Sequence, residues 1–578
     1  MSKTMKVYLA RIAGFCLGVK RAVDMALFTS RESKGQVYTF GPLIHNPSVL
    51  ALLEARGVKV LRDVPASGEG VVIIRAHGAP PDQKEALVRA GFNVVDATCP
   101  RVVKVQMLAR YYAKKGFKCL LIGDKGHPEV AGIMGYAGEG GMLISSEDDI
   151  NALPAEIGRY VILAQTTQDE ERFHEWSRLI LERYPGGRVL NTICDATRRR
   201  QDEARRLAGL VDAVIVAGGK ESANTKRLAG IVKECGKVAM AVETEEDLDK
   251  AVISNFRAVG ITAGASTPNW IINRVAREVE AMPGAFEPAS RRAAYGLMRF
   301  LHESTLLTAM AGGALAAASA MVQGFPLIPA APISCLYIFA MHTLNRLIDR
   351  EAGAYNDPLR VRFLIKHKVF FFGASVLALL LSLFMAFGLG SGPFMLLLVL
   401  TALGAFYAAP VIPAGRKRIS LKDLPGSKAI FVSIAWAAVA VLVPGLEQPL
   451  DPCRLVWFVL SGTLVYLRTV LMELLDVQGD RIVGKESLVI AIGEGCALRL
   501  IRTGAVILAL ASISLSVPAL FPCPLFVFLP AGVWFFYLSS LFYGERVREN
   551  MRLEFMVESV FFILFVSVFI ARISHYLF

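Results

Sequence analysis

Two fold classes are predicted within one chain: α/β sheets covered by helices over the first half, and an all-α membrane bundle over the second. Three observations predict them. The composition of the 578-residue sequence changes abruptly near residue 290, too far along for one ordinary domain. Before that point, short apolar runs alternate with charged helical stretches, as in parallel sheets covered by helices. After it come nine apolar stretches that span, or nearly span, a hydrocarbon core, centred near residues 313, 336, 379, 401, 437, 465, 509, 534 and 564.

The earliest chemical signal is a set of three cysteines. In VYLARIAGFCLGVKRAV, FNVVDATCPRVVKV and VLNTICDATRRRQDEA, an apolar strand-like run hands over to an amphipathic helical run at Cys16, Cys99 and Cys194. A helix N-terminus and the cations Lys20, Arg21, Arg101, Lys104, Arg198 and Arg199 would favour the thiolate that binds iron. The shared setting points to one metal centre. Four cysteines would close a cubane cluster, whereas three leave one iron open to a substrate. Of the nine cysteines, Cys119 and Cys235 read as packing residues, and Cys335, Cys453, Cys496 and Cys523 lie in or beside the apolar stretches. An odd count with no signal peptide argues against paired disulfides and for a reducing cytoplasm.

The runs GVVIIRAHG, FKCLLIGD, RYVILAQTT, DAVIVAGG and AVGITAG read as strands. His45 in GPLIHNP, His77 in RAHG, and His127 with Glu129 in GHPEV stand at the carboxyl ends of such runs, where α/β sheets bind ligands. Thr166 and Thr167, Ser222, Asn224 and Thr225, and Ser266 add hydroxyl and amide donors. Together they describe an anion pocket suited to a phosphate.

The net charge of +13 belongs to the membrane half more than to any nucleic-acid surface. Basic residues crowd the loops after the second, fourth, sixth and eighth apolar stretches, and the alternate loops are almost uncharged. The positive-inside rule then puts the N-terminal half in the cytoplasm and the terminal HYLF outside, as in a multi-pass inner-membrane protein in contact with lipid. The junction AMPGAFEPASRRAAYGLMRF reads as a linker. The expected boundaries are 1–283 for the soluble domain, 284–299 for the linker and 300–578 for the membrane domain.

Two polar clusters mark the ends of the second and sixth stretches: Asn345, Asp349 and Glu351 in NRLIDRE, and Asp476 and Asp480 in MELLDVQGDRIVG. Asn345 with Asp349 and Asp476 with Asp480 are i, i+4 pairs, so each projects from one helix face. Carboxylates facing each other across two helices suit Mg²⁺ bound to a diphosphate.

Residues 1 to about 283 resemble the 4-hydroxy-3-methylbut-2-enyl diphosphate reductase (LytB or IspH) family. The resemblance runs through AGFCLGVKRA, GPLIHNP, RAHG, DATCP, GHPEV, QTT, TICDAT, ESANTKRL and TAGASTP in the family order. It implies a trefoil of three α/β units around a [4Fe-4S] cluster ligated by Cys16, Cys99 and Cys194, whose open iron takes the substrate hydroxyl. It also implies that His45, His77, His127, Ser222, Asn224 and Ser266 hold the isoprenoid diphosphate, with Thr225 beside them. Glu129 would feed protons toward the leaving hydroxyl and Thr167 would orient it, giving isopentenyl and dimethylallyl diphosphate. A ferredoxin or flavodoxin is the expected electron donor, since no flavin or nicotinamide fingerprint is present. Ala223 stands where the family usually has a second serine, removing one phosphate hydrogen bond worth on the order of 1 kcal/mol. The rival reading is a zinc hydrolase built on His and Cys ligands. No CxxC or HExxH spacing supports it.

Residues 290 to 578 resemble the UbiA family of intramembrane prenyltransferases through NRLIDRE, YAAPVIPAGRKR and DVQGDRIVGKESL. This implies transfer of a prenyl group from a polyprenyl diphosphate to an aromatic or other lipophilic acceptor. Mg²⁺ would sit between Asn345, Asp349, Asp476 and Asp480, with Tyr407, Arg416, Lys417 and Lys485 neutralising the diphosphate. Gly353 departs from the family pattern by replacing an aspartate. Glu351 points about 160° away from that position on an ideal helix. The competing expectation is a degenerate domain kept as a membrane anchor.

Overall fold

The apolar runs of the first half are the inner strands of three parallel sheets. In order along the chain the strands are β1 (Lys6–Leu9), β2 (Val37–Phe40), β3 (Val58–Leu61), β4 (Val71–Ile74), β5 (Asn93–Asp96) and β6 (Lys118–Ile122). They continue as β7 (Gly141–Ile144), β8 (Tyr160–Ala164), β9 (Arg188–Val189), β10 (Ala213–Ala217), β11 (Val238–Val242) and β12 (Ala258–Ala263). The sheet orders are β3-β2-β4-β5, β7-β6-β8-β9 and β1-β12-β10-β11. Read from the other edge, the last is β11-β10-β12-β1, so all three sheets share one topology. The chain's first strand completes its last sheet. This computed structural model describes residues 5–282, 289–348, 353, 356–408, 412–414, 417–421, 424–483, 487–515, 524–542 and 550–577.

Ten helices lie between these strands and an eleventh follows the last. They are α1 (Leu17–Glu32), α2 (Pro47–Ala55), α3 (Pro81–Arg89), α4 (Pro100–Lys114), α5 (Pro128–Ala137) and α6 (Glu147–Asn151), then α7 (Glu170–Arg183), α8 (Asp195–Ala208), α9 (Ala223–Glu234), α10 (Lys250–Ile253) and α11 (Asn269–Ala281). Proline opens α2, α3, α4 and α5, where its fixed φ suits a helix and its missing N–H costs no bond. Three helices carry the chain from one sheet to the next: α1, α4 and α8. The trefoil of α/β units is therefore present, and its three crossings are the helices that follow Cys16, Cys99 and Cys194.

The sheet interiors explain why some strands were readable. Val72, Ile73 and Ile74 of β4, Val161 to Ala164 of β8 and Ala213 to Ala217 of β10 are completely buried. Strands buried on both faces become continuous apolar runs. Each buried Val, Leu or Ile contributes roughly 1.5–3 kcal/mol of transfer free energy.

The chain separates into two compact units, Met1–Glu287 and Pro288–Phe578. A helix at Ala289–Glu303 covers most of the stretch expected to be linker. Its apolar residues Leu297, Met298 and Leu301 recur at helical spacing, which the proline- and glycine-rich start of the junction obscures. Among the described residues of the second unit, seven helices are long and apolar enough to cross a membrane: Leu306–Gln323, Leu327–Ile348, Lys368–Leu389, Ser427–Gly445, Pro452–Val477, Glu494–Ser514 and Met551–Ile573. The two further stretches expected to span, near 401 and 534, are the shorter apolar helices Ser391–Tyr407 and Leu525–Leu541.

Candidate active site

Each sheet of the first unit contributes the same three things to one cavity. The edge strands β1, β5 and β9 lead to Cys16, Cys99 and Cys194, each the N-cap residue of a crossing helix. The inner strands β2, β6 and β10 lead to His45, His127 and Ser222. The inner strands β4, β8 and β12 lead to His77, Thr167 and Ser266. All nine side chains line a single cavity of about 90 Å³, at the carboxyl ends of the strands.

Main-chain bonds repeat the symmetry. The Cys16 amide donates to the Ala265 carbonyl at 3.1 Å, Cys99 to Ala76 at 2.9 Å and Cys194 to Thr166 at 2.9 Å. Each acceptor immediately precedes a cavity residue, namely Ser266, His77 and Thr167. Each cysteine is thus registered against the next strand-end loop by its own backbone. Gly18 makes the approach of α1 to Cys99 possible, because a Cβ there would lie 2.3 Å from the Cys99 sulfur.

Three imidazoles form one wall, with ring centroids 4.7 Å apart for His45 and His77, 5.8 Å for His45 and His127, and 5.3 Å for His77 and His127. Burial, then neighbouring positive charge, lowers all three pKa values, that of His127 to about 4. Buried nitrogens His45 Nε2 and His77 Nδ1 and both amide atoms of Asn224 have no partner within the protein. Unpartnered buried polar atoms facing a cavity are the mark of a polar ligand. Thr225, expected beside them, lies beneath the cavity instead: its hydroxyl packs against Gly218 and Gly264, and its amide donates to the Ser222 cap at 3.4 Å.

Glu129 is almost completely buried, 2 % exposed. Thr166 donates to it twice, from its amide to Oε1 at 2.6 Å and from its hydroxyl to Oε2 at 2.9 Å. Burial outweighs these bonds and pushes the Glu129 carboxyl up to about 7. At neutral pH the group exchanges a proton readily. Thr167 accepts from Gln165 Nε2 at 3.0 Å on the same loop.

Three of the cations expected to activate the thiols have other partners. Arg21 donates to the Thr98 carbonyl, Arg101 pairs with Asp195, and Arg198 with Asp195 and Glu170. Buried Arg200, held to the Gly14 and Ala196 carbonyls at 2.8 Å each, supplies the positive field at Cys16 instead. Burial still raises the Cys16 and Cys99 thiols above their ordinary range.

The second unit holds a separate polar chamber of about 250 Å³. Asn345, Tyr407, Asp476 and Asp480, all read from the sequence, line it. Asp480 accepts from Asn356 Nδ2 at 3.3 Å, and Asn356 Oδ1 in turn accepts the Gly479 amide at 2.8 Å. The sequence reading missed Arg346, Arg360, Lys428 and Glu554, which lie in the same chamber. Glu554 accepts from Arg360 at 2.6 Å and lies 3.0 Å from His302 Nε2. Asp349, Glu351, Arg416, Lys485 and the side chain of Lys417 fall outside the described residues.

Residues 7–280 match the family model described as LytB protein, and residues 305–566 match that of the UbiA prenyltransferase family. A 4-hydroxy-3-methylbut-2-enyl diphosphate reductase of Geobacter sp. (strain M21) is 46 % identical over 279 residues, 48 % of this chain and 98 % of its own length. The chain belongs to the LytB family. A solved structure of the E-1-hydroxy-2-methyl-but-2-enyl-4-diphosphate reductase from Plasmodium falciparum is 27 % identical, covering 49 % of this chain and 90 % of its own, with a TM-score of 0.47. A UbiA homolog from Archaeoglobus fulgidus bound to GPP and Mg²⁺ is 15 % identical, covering 47 % and 98 %, with a TM-score of 0.36.

The donor set of the LytB cavity fits a polynuclear cluster better than a single ion. Among the described residues, the His, Cys or acidic trio with all ligand atoms within 4.8 Å of one another is His45, His77 and His127. The three cysteines surround the cavity more widely than one tetrahedral zinc, with its ~2.3 Å bonds to sulfur, would allow. The histidine trio is the better candidate for zinc, yet its hydrogen bonding favours an anion. His127 Nδ1 accepts the Glu129 amide at 3.1 Å, so in the neutral ring Nε2 carries the proton and faces the cavity as a donor. Donors, not lone pairs, meet a phosphate oxygen.

The membrane chamber offers oxygen donors of the kind that Mg²⁺ takes, from Asn345, Asp476 and Asp480. Lys428 stands among Glu473, Asp476 and Asp480, so protein cations share that space.

Proposed function

We propose that the LytB-type unit reduces 4-hydroxy-3-methylbut-2-enyl diphosphate. The allylic C–O bond breaks and a C–H bond forms; two electrons and two protons enter, water leaves, and isopentenyl or dimethylallyl diphosphate results. A [4Fe-4S] cluster on Cys16, Cys99 and Cys194 would supply the electrons singly and a Lewis-acidic iron. His45, His77 and His127 present N–H donors to the diphosphate, and Ser222, Asn224 and Ser266 close on it from the opposite sheet. Glu129 gives a proton toward the leaving oxygen, with Thr167 on the adjacent loop to orient it, because water departs more easily than hydroxide. Thr166 keeps that carboxyl aimed while its proton comes and goes. A ferredoxin or flavodoxin is the proposed electron donor.

The observation that carries this reading is the convergence on one cavity of three helix-capping cysteines, unpartnered phosphate-type donors and a buried carboxyl with a pKa of about 7. The test is turnover of the substrate by the full-length chain, purified without oxygen and reduced with dithionite and methyl viologen. Glu129→Gln should lower kcat by about 100-fold or more with iron retained. Undiminished kcat would refute the role of Glu129.

We propose that the UbiA-type unit binds a polyprenyl diphosphate in its polar chamber for transfer to an aromatic or other lipophilic acceptor. Mg²⁺ would be held through Asn345, Asp476 and Asp480, with Asp349 as a further ligand. The unit would lie in the inner membrane, with the reductase on its cytoplasmic side. The anchor reading draws on Gly353, which lines the chamber with no side chain to offer. Membranes assayed with labelled polyprenyl diphosphate, Mg²⁺ and aromatic acceptors separate the two: product that is lost in Asp476→Ala supports transfer, and its absence supports the anchor.

A further inference from the structure

Two walls of the LytB cavity are joined in different ways. Between the sheets bearing His45 and Ser266, the join is made at the main chain: the Ser266 hydroxyl donates to the His45 carbonyl at 3.1 Å, and a Cβ on Gly219 would lie 2.5 Å from that same oxygen. Between α9, which begins beside Ser222 and Asn224, and the sheet bearing His127 and Thr167, a guanidinium spans the gap. It belongs to Arg227, one turn along α9 from Ala223.

Arg227 touches both cavity loops of the opposite sheet. Its Nη2 lies 3.0 Å and 3.2 Å from the two Asp124 oxygens, and its Nη1 donates to Gln168 Oε1. Asp124 opens the loop of His127 and Glu129; its amide donates to Gln165 Oε1 at 2.8 Å and its carbonyl accepts the His127 amide at 3.2 Å. Gln168 follows Thr166 and Thr167, and its amide donates to the Gln165 carbonyl at 3.0 Å. The Arg227 side chain is only 12 % exposed, so its charge is desolvated and depends on these partners. It lies where the inner cavity meets an outer cleft of about 650 Å³, with Ala223 bordering both.

We infer that Arg227 is a positioning residue for diphosphate binding, setting the distance between the Ser222–Asn224 turn and the His127 loop through Asp124 and Gln168. This rests on the reductase reading. A diphosphate held from both walls binds well only when both are in register, because donors displaced by a fraction of an ångström lose their bonds. Glu129 keeps its place without this latch, since Thr166 holds it within its own sheet, and Asp124 acts on it through its charge. Loss of Arg227 therefore weakens binding far more than it slows the chemical step.

The test uses full-length, cluster-loaded protein and two readouts: calorimetric binding of inorganic pyrophosphate, and KM and kcat for the hydroxylated diphosphate with an artificial reductant. Arg227→Gln should weaken pyrophosphate binding and raise KM, each about tenfold, with kcat within about threefold and the resonance spectrum of the reduced cluster unchanged. Arg227→Lys should fall between. Asp124→Asn should resemble Arg227→Gln, and the double variant should be no worse than Arg227→Gln, because both remove one shared interaction. Unchanged KM and pyrophosphate affinity in Arg227→Gln, loss of kcat alone, or additive effects in the double variant would overturn the assignment. If Arg227→Gln does not fold, Asp124→Asn decides by the same criteria. Wild-type protein that binds pyrophosphate without reducing the substrate would overturn the reductase reading while leaving the pyrophosphate arm to decide the latch.

Discussion

Thr166 holds Glu129 with both of its donors, the amide at 2.6 Å and the hydroxyl at 2.9 Å, while its carbonyl accepts the Cys194 amide at 2.9 Å. One threonine therefore fixes the proposed proton donor relative to a proposed cluster ligand. Thr166→Val should keep the amide bond and lose the hydroxyl bond. That bond favours the carboxylate, so its loss should move the alkaline limb of the kcat–pH profile upward, by about one unit at most. A limb that stays in place would mean that another group controls it.

The raised pKa of Glu129 also carries a stability consequence with a definite sign. The folded protein holds this proton up to about pH 7, whereas an unfolded glutamic acid releases it near its ordinary 4.5. Between these values the native state binds more protons, so stability falls as pH rises. The loss amounts to roughly 3 kcal/mol above pH 7 for a shift of this size. Glu129→Gln removes it. Its thermal midpoint should exceed that of the wild-type chain by more at pH 8 than at pH 5.5, and an unchanging difference would contradict the shift.

Burial lowers the pKa values of His45, His77 and His127, with further lowering by Arg75 at His45 and by neighbouring imidazoles at the other two. A diphosphate placed among them should raise their pKa values, so binding near pH 6 should take up protons. Calorimetry of pyrophosphate binding in buffers of different ionisation enthalpy measures this directly. Proton release on binding would point to a metal at the histidines.

Gly18 bears on the cluster itself. Adding a Cβ would place carbon 2.3 Å from the Cys99 sulfur, so Gly18→Ala must displace that side chain or α1. Iron content should fall well below that of the wild-type protein, while Gly35→Ala, where an added Cβ would meet the Gly70 Cα at an ordinary 3.7 Å, should leave it intact. Equal iron in both would place Cys99 outside the ligand set.

How much was legible in the sequence follows from burial. The runs around β4, β6, β8, β10 and β12 were readable because both faces are covered, whereas β3 and β11 are partly exposed and carry mixed residues. The cysteines and histidines could be found because the strand ends concentrate them. Arg200 and Arg227 could not be singled out: each sits in an arginine- or lysine-rich helix, and only the fold turns one cation of many inward. Thr166 and Thr167 were adjacent in sequence with nothing to say which would face Glu129. In the membrane unit Arg346 and Glu554 are far apart in sequence, and only the convergence of distant helices places them in one chamber.

In the proposed mechanism Cys16, Cys99 and Cys194 hold a cluster with an iron open to substrate. Electron paramagnetic resonance of the reduced, anaerobic full-length protein tests it most directly, with and without the hydroxylated diphosphate. The expected result is brown protein with about four irons per chain and a spectrum changed by the substrate. Colourless protein containing only zinc, or a cluster spectrum that the substrate leaves unmoved, would contradict it.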